Sequence, residues 1–133
     1  MSNANVSLVQ SLYAAFGRGE IATIIAAMAP DVDWTIHGRR KDFPLIGNWK
    51  GPAGVQEFFQ GVAALQQFSD FSPQEFFASA DRVFVLGHYA LTINKTGAKV
   101  ESHWCHIFTI RDGKVAGFRE FTDTAQFLEG NRG

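Results

Sequence analysis

The sequence predicts an α+β fold, with helices from the first half laid against one face of a mainly antiparallel sheet. Three observations carry this. Apolar residues recur at three- and four-residue steps in three stretches before residue 67. From Phe71 onward, long stretches rich in β-branched and aromatic residues are separated by short polar turns. One turn, Arg111-Asp-Gly-Lys114, carries the Asp-Gly pair that accepts positive φ in a two-residue hairpin.

The elements follow in order. A first helix is predicted over Asn5–Phe16, with Val6, Val9, Leu12, Tyr13 and Phe16 on one face and Gly17 as its left-handed stop. A second runs from Glu20 to about Ala29. Ile21, Ile24, Ile25 and Met28 line it, and Pro30 ends it. Asp31–His37 reads as a strand with Val32, Trp34 and Ile36 on one face. Gly38–Gly51 has no period and reads as a loop carrying Arg39, Arg40, Lys41, Phe43 and Trp49. Pro52 suits the first turn of a third helix, which runs to about Gln66 with Val55, Phe58, Phe59 and Val62 as its stripe. Strands are then expected over Phe71–Ala80, Arg82–Asn94, Val100–Ile110 and Val115–Thr122. Pro73 points to an irregular or edge position for the first of them. A short helix over Thr124–Glu129 closes the reading.

Bulk properties narrow the classes. At 133 residues the chain suits a single domain, 1–133, with a real core. Twelve basic and thirteen acidic residues give a net charge of −1, so no nucleic-acid partner is expected. No apolar run approaches the roughly 20 residues of a membrane span, and the start lacks a leader-like segment. Cys105 is the only cysteine, which fits a reducing, cytoplasmic setting. Thirteen phenylalanines point to an aromatic interior or cavity. With no Gly-rich phosphate loop, no cofactor is expected. No metal is expected either, since His103-x-Cys105 offers only two ligands.

Four segments carry a resemblance: Tyr13–Glu20, Ala29–Trp34, Trp49–Phe59, and Arg111–Val115 with Phe118–Asp123. In this order they resemble the nuclear transport factor 2-like superfamily, closest to its SnoaL-like and ketosteroid-isomerase-related branch. The resemblance implies a curved sheet wrapped into a cone around an internal pocket, a cystatin-like roll closed by helices and loop, and a homodimer. It implies activities from isomerase and cyclase to hydrolase, and also non-catalytic binding domains. The general base of steroid isomerases falls near Ile36 or His37, their oxyanion-hole acid near Cys105, and their tyrosine near Leu12, beside Tyr13. That acid set is therefore absent here. The strand-borne Arg and Asp of limonene epoxide hydrolases fall near Gly87 and Tyr89. Only their last-strand acid has a counterpart, Glu120, and SnoaL-type cyclases also place an acid there.

Strand alternation expects an inward face of Trp34 and Ile36; Val85, Gly87 and Tyr89; Glu101, His103, Cys105 and Ile107; Ala116, Phe118, Glu120 and Thr122. An acid among apolar neighbours is unusual and marks a candidate for chemistry. In general, a carboxylate in an apolar cavity titrates closer to neutral, and an adjacent imidazole opposes this. The expected catalytic set is Glu120 as general base, His103 orienting it or acting as acid, and Tyr89 or Tyr13 donating a hydrogen bond to substrate oxygen. Tyr13, Trp34, Ile36, Phe43, Phe58, Phe59, Val85, Gly87, Cys105 and Phe118 are expected to line the pocket. Glu120 equally fits a structural pairing with Arg39, Arg40 or His103, and Cys105 a buried apolar role. The expected activity is acid–base chemistry of isomerase, cyclase or hydrolase type on a modest apolar carbonyl- or ring-containing molecule. The alternatives are a binding domain for a hydrophobic metabolite in the same pocket and a purely structural dimerisation domain.

Overall fold

The computed structural model describes residues 2–132. Its described residues form a mixed α+β fold, one curved open sheet of six strands with four helices. The helices are α1 (Ser2–Gly17), α2 (Ile21–Ala26), α3 (Gly51–Leu65) and α4 (Thr124–Arg132). The strands are β1 (Met28–Ile36), β2 (Gly47–Lys50), β3 (Gln66–Ser79), β4 (Arg82–Ile93), β5 (Lys99–Arg111) and β6 (Lys114–Thr122). Their order is β2-β1-β6-β5-β4-β3. All neighbours are antiparallel except β1 and β6, which run parallel.

Several boundaries differ from the sequence expectation. The left-handed stop of α1 is Gly19 (φ 72°), two residues past Gly17. The Glu20 N–H reaches the Ala15 carbonyl at 2.8 Å and the Gly19 N–H reaches Phe16 at 3.0 Å, which satisfies two orphan carbonyls of the helix end. Helix α2 stops at Ala26, before the expected Ala29. Met28 joins the sheet opposite Val115, and Pro30 lies where the β1–β6 ladder is interrupted, so its missing N–H is not needed. The expected loop holds a 3₁₀ turn (Arg40–Asp42) and the short strand β2. There Arg39 pairs with Asp42 at 3.0 Å and Arg40 lies 5.0 Å from the Trp49 ring centre, so these cations are engaged within the segment.

Strand β3 begins earlier than expected, at Gln66, and is an edge strand. Its pairing with β4 shifts between Phe68 and Asp70 and again between Pro73 and Glu75, and an edge strand tolerates the proline's missing N–H. The β5–β6 hairpin turns on Asp112 (φ 53°) and Gly113 (φ 75°), matching the Asp-Gly expectation.

The core lies between the helices and the concave face of the sheet. Val9 and Ala15 of α1, Val55 of α3, Val83 and Val85 of β4, and Val115 of β6 have no solvent exposure. Burying each such side chain contributes roughly 1.5–3 kcal/mol for the larger aliphatics. Gly87 sits in the middle of β4 directly opposite Trp104 of β5. A Cβ there would lie 2.3 Å from the Trp104 ring and 2.7 Å from the Ser72 carbonyl oxygen. The glycine therefore lets the indole lie flat on the neighbouring strand. Gly87→Ala is expected to lower the unfolding free energy by about 1–3 kcal/mol through overpacking, read from urea denaturation of the two proteins.

Candidate functional site

The concave face encloses a cavity of about 90 Å³. That is room for more than one water and for a small organic group. Its walls are mostly aromatic and aliphatic. Tyr13 and Phe16 come from α1, Trp34 and Ile36 from β1, Phe43 from the segment before β2, Phe58 and Phe59 from α3, and Phe118 from β6. The polar wall groups include Tyr13, Tyr89, His106, Glu120 and Thr122.

These polar groups form one connected set. Glu120 Oε1 lies 2.8 Å from His106 Nε2. His106 Nδ1 lies 2.6 Å from the Tyr13 hydroxyl. Tyr89 donates to Thr122 Oγ1 at 2.7 Å and lies 3.3 Å from Glu120 Oε2. An ionised carboxylate only accepts, so Nε2 of His106 carries the hydrogen that faces Glu120. In the neutral ring Nδ1 then accepts the Tyr13 O–H, and one tautomer satisfies all three groups. The Glu120 side chain is 15 % exposed and that of His106 5 %, so each polar group needs the partner it has.

Ring packing holds the imidazole in place. Trp104 stacks on His106 at 3.8 Å between centres and 19° between planes. Tyr13 lies parallel to His106 at 5.9 Å, and Phe118 meets it edge-on at 4.8 Å. Phe118 in turn stacks on Trp34 at 3.9 Å, where β1 pairs with β6.

Burial first, then the negative charge of Glu120, holds both the Tyr13 and Tyr89 hydroxyls well above the ordinary phenol range. Both phenols therefore stay protonated and remain donors at neutral pH.

The expected catalytic pair is not the one that forms. Glu120 and Tyr89 line the cavity, but His103 does not. His103 is exposed, opposite His88, whose ring also meets Asp70 at 3.1 Å. Cys105 is likewise turned away from the cavity, opposite the exposed Leu86 and Phe121, and burial pushes its thiol pKa up. The inward face of β5 is Val100, Ser102, Trp104, His106, Phe108 and Ile110, all buried.

The cause is a β-bulge. Ile110 pairs with Val115, but Thr109 pairs with Gly117, so Ala116 is an extra residue on β6. Beyond it the register has moved by one, and a one-residue slip exchanges the two faces of a strand. Glu120 thus meets His106 rather than Cys105.

Of the expected lining residues, Tyr13, Trp34, Ile36, Phe43, Phe58, Phe59 and Phe118 are in the wall. Val85 is buried in the core, outside the wall, and Gly87 lies beneath Trp104. His106 and Phe108 are wall residues that straight alternation from Glu120 misses. Two signals point to them. The apolar Val115 and Phe118 are three apart around Gly117, which marks a bulge. The even positions of β5 are also the more apolar set. Among the described residues no group of three or more His, Cys, Asp or Glu side chains is arranged to hold a metal ion. None of the described helices is long and apolar enough to cross a membrane.

Comparison with known proteins agrees with this architecture. Residues 9–118 match the SnoaL-like domain family. The crystal structure of an NTF2-like protein from Burkholderia xenovorans LB400 is 31% identical, with a TM-score of 0.88 over 98% of this chain and 97% of that one. TerC, co-crystallised with polyporic acid, is 29% identical, with a TM-score of 0.82 over 98% and 99% of the two chains. An uncharacterised protein of Mycobacterium tuberculosis (strain H37Rv) is 25% identical over 119 residues, covering 90% of this chain and 88% of that protein.

The two buried phenols give a pH prediction. Their pKa values are higher in the folded chain than in the unfolded one, so the folded state holds these protons longer. Their contribution to stability is full below the unfolded value of about 10 and is lost as pH rises from there through the folded values. Urea unfolding at a series of pH values is expected to show a plateau, then a decline above pH ~10 approaching ~1.4 kcal/mol per pH unit for each phenol. Tyr89→Phe is expected to make that decline shallower.

Proposed function

The chain belongs to the SnoaL-like domain family, whose members include isomerases and polyketide cyclases, and within it we propose a cofactor-independent acid–base enzyme. Its substrate is a modest, largely apolar carbonyl- or ring-bearing molecule held in the aromatic cavity, and its reaction is of isomerase, cyclase or hydrolase type. One observation carries this reading: the Glu120 carboxylate stands in the cavity wall with Oε1 against His106 Nε2 at 2.8 Å.

In this scheme Glu120 takes a proton from the substrate as general base and gives it up again before the next turnover. His106 aligns the carboxylate, and Tyr13 fixes the imidazole tautomer from α1. As the carboxylate loses its charge, the imidazole N–H and the Tyr89 hydroxyl keep the acid hydrogen-bonded. The wall excludes water, which strengthens each of these interactions. Support for a small-molecule ligand comes from the similar TerC, which was co-crystallised with polyporic acid.

A binding domain without chemistry is the second reading. It is favoured by one feature: both Glu120 oxygens already have partners within the protein. The reading as an enzyme also takes the chain as a homodimer, in which a second copy covers the outer sheet face. Phe77 (52 %), Leu86 (39 %) and Phe121 (40 %) are exposed there, and Leu86, Cys105 and Phe121 form a row across β4, β5 and β6.

Native mass spectrometry of the purified protein would identify a retained small molecule, and its turnover would then be assayed. Glu120→Gln is expected to lower kcat by about 10²–10⁴, the usual range for a general base, with binding kept. Unchanged turnover would remove Glu120 from the chemistry, and binding without any turnover in the wild type would favour the second reading. Sedimentation is expected to show a dimer that Leu86→Asp converts to monomer; a wild-type monomer would refute the dimer.

A further inference from the structure

Glu120 Oε1 is committed to His106, and Oε2 begins a second line of hydrogen bonds. Tyr89 Oη lies 3.3 Å from Oε2 and 2.7 Å from Thr122 Oγ1. Thr122 Oγ1 lies 3.2 Å from Ser102 Oγ. Ser102 lines a surface cleft with His88, Glu101, His103, Asp123 and Gln126. Thr122, by contrast, lines the inner cavity. Three hydroxyl groups therefore join the carboxylate to a separate surface opening.

We propose that Tyr89, Thr122 and Ser102 form a hydroxyl relay that carries a proton between Glu120 and the surface cleft while the cavity is filled by an apolar substrate. This rests on the reading of Glu120 as a proton-transfer group. A hydroxyl both donates and accepts, so each member passes one proton on as it receives another.

The hydrogens are set for export. Tyr89 donates to Thr122, Thr122 to Ser102, and Ser102 to the His103 carbonyl at 2.7 Å. A proton on Oε2 moves to Tyr89 Oη as the Tyr89 proton moves to Thr122. The Thr122 proton moves to Ser102, and the Ser102 hydroxyl, turned from the His103 carbonyl, gives its proton to a water in the cleft. One proton leaves the carboxyl group, one water gains it, and every hydroxyl stays neutral. Rotation of the three hydroxyls resets the line. The raised pKa values of buried phenols fit this neutral, hop-by-hop passage, since no tyrosinate is formed. In the cleft, Asp123, Glu101, His88 and His103 are at hand to take the proton from water.

The relay solves a problem the cavity creates. A substrate that fills an apolar pocket shuts the carboxylate off from water on the cavity side. A reaction that leaves a proton on Glu120 then needs another exit before the next turnover.

The test measures solvent exchange of the Tyr89 hydroxyl hydrogen by NMR, with the cavity empty and saturated with p-xylene, a probe without hydrogen-bonding groups. In the wild type, filling is expected to slow exchange by less than about threefold, because the hydroxyl line stays open. Thr122→Val is expected to slow exchange in the filled protein by about tenfold or more, since a methyl group neither donates nor accepts. Thr122→Ser is expected to restore the wild-type rate. Ser102→Ala, which cuts the line at its outer end and leaves both partners of Tyr89 in place, is expected to slow the filled protein likewise. The relay is refuted if filled Thr122→Val exchanges at the wild-type rate, or if filling alone stops exchange in the wild type. No turnover enters the measurement, so the two readings fail separately. An inactive Glu120→Gln with unaltered exchange in Thr122→Val removes only the relay. An active Glu120→Gln with the expected exchange pattern removes only the catalytic assignment.

Discussion

The arrangement depends on one extra residue in one strand. Ala116 opens a bulge in the β5–β6 hairpin, and every pair beyond it is displaced by one position. Without that displacement Glu120 would face Cys105, a small thiol that offers no charge partner. With it, Glu120 faces His106, and the histidine brings Tyr13, Trp104 and Phe118 to the same place. A bulge leaves one residue unpaired on β6, and in return it fixes which chemical groups share the interior.

The polar set is held in place by aromatic packing as much as by hydrogen bonds. Gly87 leaves room for the Trp104 indole to lie on β4. The indole covers one face of His106, and the imidazole is then limited to the plane in which one nitrogen meets Glu120 and the other meets Tyr13. Each part has an elementary reason. A polar group taken from water must find a partner within the protein. A flat ring stacked against another has few orientations open to it. Together they hold a carboxylate, an imidazole and two phenols in a mostly apolar wall.

Most of the fold was legible in the sequence, because helical and strand periods are local. Val55, Phe58 and Val62 announced α3, and Asp112-Gly113 announced the last hairpin with the correct turn. The inward positions of β1 and β4, such as Trp34, Ile36 and Tyr89, also followed from alternation. Strand β2 was not legible, since four residues are too few to establish a period. Nor was the early end of α2, where Met28 gains more by pairing with Val115 than by extending a helix towards a proline. The site was half legible. The acid on the last strand stood out by its apolar neighbours. Its partner did not, because phase is a relation between two strands, and a bulge resets it at a point that alternation within either strand alone does not reveal. Gly117 between Val115 and Phe118 was the local trace of that reset.

The parallel pairing of β1 with β6 has a consequence for how the chain is made. Trp34 meets Phe118 and Ile36 meets Glu120, each pair 84 positions apart along the chain. Contacts this remote along the chain demand that a long loop be closed before they add stability. Until β6 emerges, the β1–β2 hairpin and the apolar stripe of α3 wait without the strand that completes their sheet. The nascent polypeptide therefore displays its stickiest surface until β6 has been made, and only then does the aromatic chamber come into being.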